Sequence, residues 1–371
     1  MTTVCVTGAT GFLGAHLAAR LASGALGKDT TVRVAVRNPR RMNALEGVKV
    51  KLMRADVLDR KSMRAALEGC DVLFHAAGRV ASKPEREVWR INAVAPRIAV
   101  EAAADAGVGR VVLTSSVAAI GPAPPGRAAD ERARYPQEGT GLLYADSKYE
   151  GERIALATGD RLGVEVVAVN PSYVLGPALN RSLLGETSTR IVSNYLRGRL
   201  PAIVDAYTNI VDVEDVAEGH VLAAKRGKPG ERYILGGQNM RWSELIERVA
   251  KLSDRHHALL VLPPEIAKGA KLFGSVGVPG VSTEGIRLMA PDWRYSSARA
   301  KRELGYKPRP AVQTLARTVD WCLELIANGK VGRSRASSFD LMTQGVQISD
   351  RLQLLAPLKL AGRVAGRKTV I

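Results

Sequence analysis

The chain has 371 residues, of which 46% are hydrophobic and 24% charged, and it contains only three cysteines. This composition excludes a disordered chain, a collagen and a small disulfide scaffold, and it predicts a globular protein with reduced, buried thiols. We find no apolar run long enough to span a membrane, no signal peptide and no Cys/His spacing that suits zinc or another metal. The net charge is +18, but aromatic residues do not alternate with the basic ones, so we expect no nucleic-acid binding.

The first half of the chain alternates strand-like and helix-like segments. Strands are predicted at 4–7, 31–36, 48–54, 71–75, 110–115 and 164–170, and helices at 14–25, 61–67, 93–106 and 143–158. This order predicts an α/β class protein with a doubly wound parallel Rossmann sheet and a smaller C-terminal substrate lobe. We assign residues 1–170 to the Rossmann domain, with later strands near 208–213 and 232–235 returning to it, residues 171–330 to an interleaved lobe, and residues 331–371 to a basic extension.

A glycine-rich turn joins the first strand to the first helix. Gly8, Gly11 and Gly14 recur at three-residue spacing, with Phe12 and Leu13 between the last two. Glycine permits a tight turn and a close backbone approach, and the helix N-terminus presents free N–H groups to an anion. The turn predicts a site for the pyrophosphate of a dinucleotide; a plain glycine-rich connection is the alternative.

The residue after the second strand indicates which dinucleotide binds. An acid there would bind the ribose 2′-hydroxyl of NAD(H), but Arg37 stands at this position, with Arg40 and Arg41 close behind. A guanidinium suits a 2′-phosphate, so we expect NADP(H) rather than NAD(H). Alternatively, Arg37 stacks on adenine and the arginines are surface charges. Asp56 and Val57 follow the third strand, where an acid can contact the adenine amine.

A tyrosine and a lysine on the predicted helix 143–158 form the candidate catalytic pair. Tyr144 and Lys148 are four residues apart and therefore share one helix face. A nearby ammonium favours a phenolate, so we expect Lys148 to lower the pKa of Tyr144. Ser115 and Ser116 end a strand, at the edge where open α/β sheets bind ligands, and Ser116 is the preferred partner for a substrate carbonyl.

These motifs together resemble the extended short-chain dehydrogenases/reductases of the NAD-dependent epimerase/dehydratase type over about residues 3–325. The similarity is greatest to the branch of dihydroflavonol reductases, cinnamoyl-CoA reductases and hopanoid-associated sugar epimerases. The matching segments are the glycine turn, residues 75–78 (His-Ala-Ala-Gly), Asn92, residues 114–116, Tyr144 with Lys148, and residues 170–177.

The resemblance implies a role for each matching residue. Tyr144 is the implied general acid, Lys148 tunes it and binds the nicotinamide ribose, and Ser116 polarises the carbonyl. Asn92 either joins a proton relay or kinks or caps its helix. The other implied cofactor contacts are Ala76, Ala77 and Gly78 along the cofactor, and Pro171 and Ser172 beside the nicotinamide.

The triad serves both reductases and epimerases, so other positions must distinguish them. Many nucleotide-sugar relatives have an Arg-Asp pair where this chain has Thr208 and Asn209, and a His where it has Asp212. An uncharged rim and Arg37 favour NADPH-dependent reduction of a hydrophobic aldehyde or ketone, or oxidation of its alcohol. A nucleotide-sugar epimerase or dehydratase with bound NAD(P) is the first alternative. A catalytically idle NADP(H)-binding sensor or assembly factor is the second.

Two C-terminal segments are harder to interpret. We expect a flap over the substrate at about 262–280, although a plain surface helix and loop would give the same pattern. Beyond it, leucines and basic residues at 351–367 allow a peripheral contact with an anionic membrane, docking onto the body or a partner, or disorder, and Pro357 interrupts the pattern. We expect a cytoplasmic protein, with membrane association left open. The resemblance also allows a homodimer formed by the helices after Asn92 and around Tyr144.

Overall fold

The computed structural model describes residues 2–40, 42–81, 83–181, 188–265, 288–331, 338–364 and 368–370. Within them the strands are β1 Thr2–Thr7, β2 Thr30–Val36, β3 Lys51–Arg54, β4 Val72–His75, β5 Arg110–Thr114, β6 Glu165–Pro171, β7 Tyr173–Leu175, β8 Ala202–Val204, β9 Tyr207–Asp212, β10 Arg232–Leu235, β11 Gln238–Arg241 and β12 Leu260–Leu262. Arg41, Arg367 and most of the expected flap lie outside the described residues.

The helices alternate with these strands along the chain. They are α1 Phe12–Ala22, α2 Arg60–Leu67, α3 Glu85–Trp89, α4 Ala95–Asp105, α5 Leu143–Leu162, α6 Arg190–Leu196, α7 Val213–Arg226, α8 Trp242–Ser253, α9 Ala311–Ala327, α10 Ser338–Arg351 and α11 Ala356–Val364. A π-helical turn at Arg90–Val94 joins α3 to α4. Pro96 is the second residue of α4 and directly follows this turn, where a proline lacks the N–H that a regular helix would use.

A parallel sheet forms the centre of the described fold, with strand order β10-β6-β5-β4-β1-β2-β3. One face packs against α1 and α7 through residues such as Leu17, Val216 and Val221, and the other against α2, α4 and α5 through Met63 and Ala99. Both faces of the central strands are covered, so their middle residues are apolar and buried, as at 111–113 of β5 and 166–169 of β6, whereas the edge strand β3 is mostly exposed. The predicted doubly wound parallel Rossmann sheet is therefore confirmed.

The expectation that the strand near 208–213 returns to this sheet is wrong. That strand is β9, which pairs with β7 and β11 in a separate three-stranded sheet. The edge beside β6 is filled by β10, whose Arg232 pairs in register with Ala168. A short apolar strand does not reveal its sheet from sequence alone, because the pairing is decided by distant segments.

The lobe has its own core and contacts the central domain near the end of β5. Trp242, Leu315 and Trp321 are buried between α6, α8 and α9. The Tyr295 hydroxyl donates to the Val117 and Gly121 carbonyls at 3.1 and 2.8 Å, in the loop that follows β5. The lobe therefore fixes part of the sheet edge where ligands are expected.

The tail folds into α10 and α11 and lies against the lobe. The leucine-rich segment is interrupted near Pro357, as the sequence suggested: α10 ends at Arg351 and α11 begins at Ala356, so that Pro357 lies in the first turn of α11, where proline is tolerated. Val370 forms an antiparallel bridge with Leu260, and the Val261 N–H donates to the Thr369 carbonyl at 2.9 Å. Across the described ranges, no helix is long and apolar enough to cross a membrane.

Candidate functional site

The carboxyl ends of five parallel strands meet at one edge of the central sheet. β1 leads into the glycine turn, β2 into Arg37, β4 into the segment 76–78, β5 into Ser115 and Ser116, and β6 ends at Pro171, before Ser172. Because the strands are parallel, all of these segments lie on the same side of the sheet. The topology thus brings most of the candidate residues together at a single crevice.

The glycine turn is shaped by close backbone contacts. Gly8 has φ +69°, and a Cβ built on it would lie 2.6 Å from the Ala76 carbonyl oxygen. The Gly11 N–H donates to the Gly8 carbonyl at 2.9 Å. Gly11 caps α1 without any side-chain hydrogen bond, and the first turn of α1 contains no acid. The N–H groups of Phe12, Leu13 and Gly14, in the first turn of α1, are therefore available to an anionic ligand.

Arg37 and Asp56 follow the ends of neighbouring strands. The Arg37 side chain is exposed and makes no ion pair within the part of the chain that is described. Its guanidinium is thus accessible to a phosphate. Asp56 is partly buried, and its carboxylate accepts the Leu58 N–H at 3.0 Å, which closes the turn that contains Val57. One carboxylate oxygen of Asp56 is thus used to stabilise the loop after β3.

His75 and Thr7 fix the start of the segment 76–78. The Thr7 hydroxyl accepts the Ala77 N–H at 3.2 Å and lies 3.1 Å from His75 Nδ1. Burial lowers the pKa of His75 to about 3, so this imidazole is neutral. These contacts hold Ala76 and Ala77 beside the glycine turn, where the sequence placed them along a cofactor.

Lys148 reaches from α5 into the space between β4 and β5. Its ammonium donates to the Thr114 carbonyl at 2.9 Å, and a Cβ built on Gly78 would lie 3.1 Å from Nζ. A side chain at position 78 would therefore press on Lys148. Burial lowers the pKa of Lys148 to about 8, while the negative charge of Glu152 opposes this shift.

Tyr144 lies one helical turn before Lys148 and faces Ser116. Burial raises the pKa of Tyr144, and a hydrogen bond with the Ser116 hydroxyl partly offsets this increase. The expectation that the neighbouring ammonium lowers this pKa is therefore wrong: desolvation dominates. Ser116 Oγ also accepts the Ala118 N–H at 3.1 Å, which leaves its own proton free to donate. Such a pair can protonate and polarise one oxygen atom together.

Asn92 is a buried residue of the π-helical turn. Its side chain accepts the Arg79 N–H at 2.8 Å and donates to the Arg79 carbonyl at 2.9 Å and to Ser147 Oγ at 3.2 Å. These bonds hold the loop after Gly78 against α5. They favour the structural alternative, in which Asn92 supports a helix irregularity, over the proton relay.

A buried polar network behind Ser116 was not foreseen. Asn170 Nδ2 donates to the Ser116 carbonyl at 2.9 Å and to Glu152 at 2.6 Å. Glu152 also forms an ion pair of 3.1 Å with Arg232 of β10. Glu152 is four residues after Lys148 and thus shares its helix face, which is a signal that the sequence did contain. No comparable signal marks Tyr295, which lies far along the chain from Val117.

The chemistry of the edge fits a dinucleotide. An anion can bind at the N-terminus of α1, and Arg37, at the end of the neighbouring strand β2, forms no ion pair with any described residue. The buried hydroxyls of Ser115 and Ser172 have no hydrogen-bond partner in the described protein, so they can pair with a bound ligand. In the described ranges, no group of three His, Cys, Asp or Glu residues could hold a metal ion.

Comparisons with known proteins agree with this arrangement. The model of the NAD-dependent epimerase/dehydratase family matches residues 4–236. A putative dihydroflavonol 4-reductase from Synechocystis is 34% identical over 85% of this chain and 93% of the relative. Sterol demethylase protein B from Methylococcus capsulatus is 32% identical, over 87% and 98%. The crystal structure of gox2253 superposes with a TM-score of 0.76 at 30% identity, covering 90% of this chain and all of the other.

Proposed function

Because the chain belongs to the NAD-dependent epimerase/dehydratase family of extended short-chain dehydrogenases/reductases, whose members are NAD(P)-dependent enzymes, we propose that it is an NADPH-dependent carbonyl reductase. Its substrate is a hydrophobic aldehyde or ketone, which it interconverts with the alcohol. The proposal rests above all on one observation: Tyr144 is hydrogen-bonded to Ser116, and Lys148, one helical turn further on, donates to the carbonyl of the nearby Thr114.

Each of the three side chains has its own role in the reaction at the carbonyl oxygen. A bound nicotinamide supplies the hydride to the carbonyl carbon, or accepts it in the reverse direction. Tyr144 is protonated at neutral pH because burial raises its pKa, so it can give its phenolic proton to the oxygen. Ser116 donates a hydrogen bond to the same oxygen, and the Lys148 ammonium stabilises the phenolate that Tyr144 leaves. Hydride and proton together complete the alcohol.

The cofactor site would use the strand ends described above. The glycine turn with Phe12 and Leu13 would hold the pyrophosphate, Asp56 and Val57 would flank the adenine, and Lys148 would hold the nicotinamide ribose. The segment 76–78, Pro171 and Ser172 would line the nicotinamide end. Arg37 supports NADPH over NADH, because its free guanidinium can pair with a 2′-phosphate and no acid occupies its place.

Two groups of the lobe argue against a nucleotide-sugar substrate. Asn209 is buried, donating to Asn239 Oδ1 at 2.6 Å and accepting the Gly237 N–H at 2.8 Å. Asp212 is buried and paired with Arg309 and Arg317 at 3.5 and 3.2 Å. These arginines are neutralised by carboxylates and are poorly suited to bind a diphosphate. The names of the two relatives refer to a dihydroflavonol and a sterol, which supports a carbonyl compound with fused rings as substrate.

The test is the stoichiometry of turnover. The purified chain is incubated with NADPH and a panel of aldehydes, cyclic ketones and lipid-like carbonyls, and both NADPH and the alcohol product are quantified. We expect one alcohol for each NADPH oxidised with at least one carbonyl. Conversion of UDP-glucose with no net loss of cofactor would overturn the proposal in favour of an epimerase. Tight NADPH binding with no turnover of any substrate would favour a sensor.

A further inference from the structure

The tail presents an exposed apolar surface at the junction of α10 and α11. Between residues 348 and 360 five large apolar side chains are exposed, and we call them together the leucine surface: Ile348, Leu352, Leu354, Leu358 and Leu360, which are 54%, 64%, 66%, 43% and 63% exposed. The seven other large apolar side chains that the structure shows as exposed are spread along the chain between residues 52 and 312. Exposed apolar side chains grouped in this way mark a contact surface.

The tail is held firmly on the lobe, although these leucines are not buried by it. On one side of α10, Thr343 and Val346 are buried, and Gln347 Nε2 donates to the Gly198 carbonyl at 3.3 Å. An ion pair of 2.6 Å between Lys359 and Asp350 ties α11 to α10. The contacts that dock the tail are therefore already made, and the leucine surface is left for something else.

The net positive charge of the tail sequence indicates which kind of partner can bind the leucine surface. From residue 348 onward the sequence contains five basic residues and one acidic residue: Arg351, Lys359, Arg363, Arg367 and Lys368 against Asp350. Arg351 is exposed beside Leu352. A second copy of the chain would bring another net charge of +18 toward this basic segment, which opposes self-association. An anionic surface is attracted instead, and an anionic bilayer offers both charge and an apolar interior.

We propose that the leucine surface binds the face of an anionic lipid bilayer, so that the tail holds the protein at the membrane without crossing it. The leucines enter the boundary between headgroups and acyl chains, and Arg351, which is exposed beside Leu352, pairs with a lipid phosphate. This inference does not depend on the proposed hydride transfer, because it concerns other residues and is measured without turnover.

The experiment is vesicle flotation of the full chain. Vesicles of phosphatidylcholine alone are compared with vesicles that also contain phosphatidylglycerol. The test variant combines Leu352→Ser with Leu354→Ser, two side chains too exposed to support the fold. The control combines Leu52→Ser with Leu162→Ser, which are 41% and 36% exposed on β3 and α5 of the central domain.

We expect binding only to the anionic vesicles, weakened by added salt. The test variant should bind at least about tenfold more weakly, because its apolar contacts with lipid are lost. Arg351→Gln should bind about fivefold more weakly. The control should match the wild type. Equal binding by the test variant and the control would overturn the proposal, as would equal binding to neutral vesicles. A leucine-dependent dimer in sedimentation, without vesicle binding, would assign the surface to a second copy instead.

Discussion

Burial acts on Tyr144 and Lys148 in the same direction, because it favours the neutral form of each side chain. The phenol has a raised pKa and stays protonated at neutral pH, while the ammonium has its pKa lowered to about 8. A reductase needs this combination, with an acid that still holds its proton and a cation beside it. The cation is the first of the two to be lost as the pH rises.

The proposed role of Lys148 predicts the alkaline limb of the pH profile. kcat/KM for NADPH, which reports the free enzyme, should be flat near neutral pH and fall above about 8, where Lys148 loses its proton. Lys148→Arg should be less active but should lack this limb, because a guanidinium does not titrate there. The measurement is initial rates from about pH 6 to 10. An unchanged limb in Lys148→Arg would assign the titration to another group.

Arg37 is the residue that we expect to select the cofactor. Arg37→Glu should lower kcat/KM for NADPH by about 10- to 100-fold, because a charge-assisted contact with the 2′-phosphate is replaced by repulsion. The same change should raise kcat/KM for NADH, since a carboxylate can accept the ribose 2′-hydroxyl. Arg161→Gln, about 25 Å along α5 from Tyr144, is the matched loss of charge and should leave both values unchanged. An equal loss with both cofactors would contradict a selective role for Arg37.

At the scale of elements, Glu152 links α5 to β6 and β10. It is buried, it accepts from Asn170, and it pairs with Arg232. Glu152→Gln should lower the free energy of unfolding by about 3 kcal/mol, because Arg232 loses its partner. It should also move the alkaline limb of kcat/KM to lower pH, since the Glu152 charge favours the charged form of Lys148.

A matched control separates these two effects. Glu165→Gln breaks the ion pair with Arg110, in which the Glu165 side chain is 49% exposed. This change should lower the free energy of unfolding by less than about 1 kcal/mol and should leave the pH profile of kcat/KM unchanged. Urea unfolding and pH-dependent rates measure the two effects separately. If Glu152→Gln is destabilised but the alkaline limb of its kcat/KM profile stays at the wild-type pH, Glu152 has only a structural role.

The elements that the sequence predicted well are those with local signals. The glycine turn, the i, i+4 pair on α5 and the apolar strands each depend on neighbouring residues, and the sheet they form was predicted. β9 was placed in the wrong sheet because its partners, β7 and β11, are chosen by packing between distant segments. The pKa of Tyr144 was predicted in the wrong direction, because the spacing to Lys148 shows proximity and does not show desolvation.

At the scale of the whole molecule, two buried histidines limit stability in acid. His75 and His220 are neutral in the fold, with pKa values lowered by burial to about 3 and about 4. The unfolded chain takes up these protons near pH 6.5, before the folded chain does, so stability should fall as the pH decreases below 6.5. Between about pH 7 and 5 each histidine should lower the free energy of unfolding by about 2 kcal/mol.

His220 is the better of the two to test, because His75 contacts Thr7 at the start of the glycine turn, whereas His220 hydrogen-bonds Thr114 and the Val216 carbonyl. His220→Gln should reduce the loss of unfolding free energy between about pH 7 and 5 by about 2 kcal/mol, whatever its effect at neutral pH. The exposed His256, changed to Gln, should leave that loss as it is in the wild type. Equal losses in His220→Gln and the wild type would contradict a neutral, buried His220.

The most direct test of the proposed reductase is a single turnover of bound NADPH with the best carbonyl of the panel, compared in the wild type and Tyr144→Phe. The variant keeps the ring and loses only the phenolic proton. We expect NADPH to bind with unchanged affinity and its oxidation to slow by about 100-fold or more, as for the loss of a general acid. Oxidation at the wild-type rate in Tyr144→Phe would contradict the assignment of Tyr144 as the acid and, with it, the proposed mechanism.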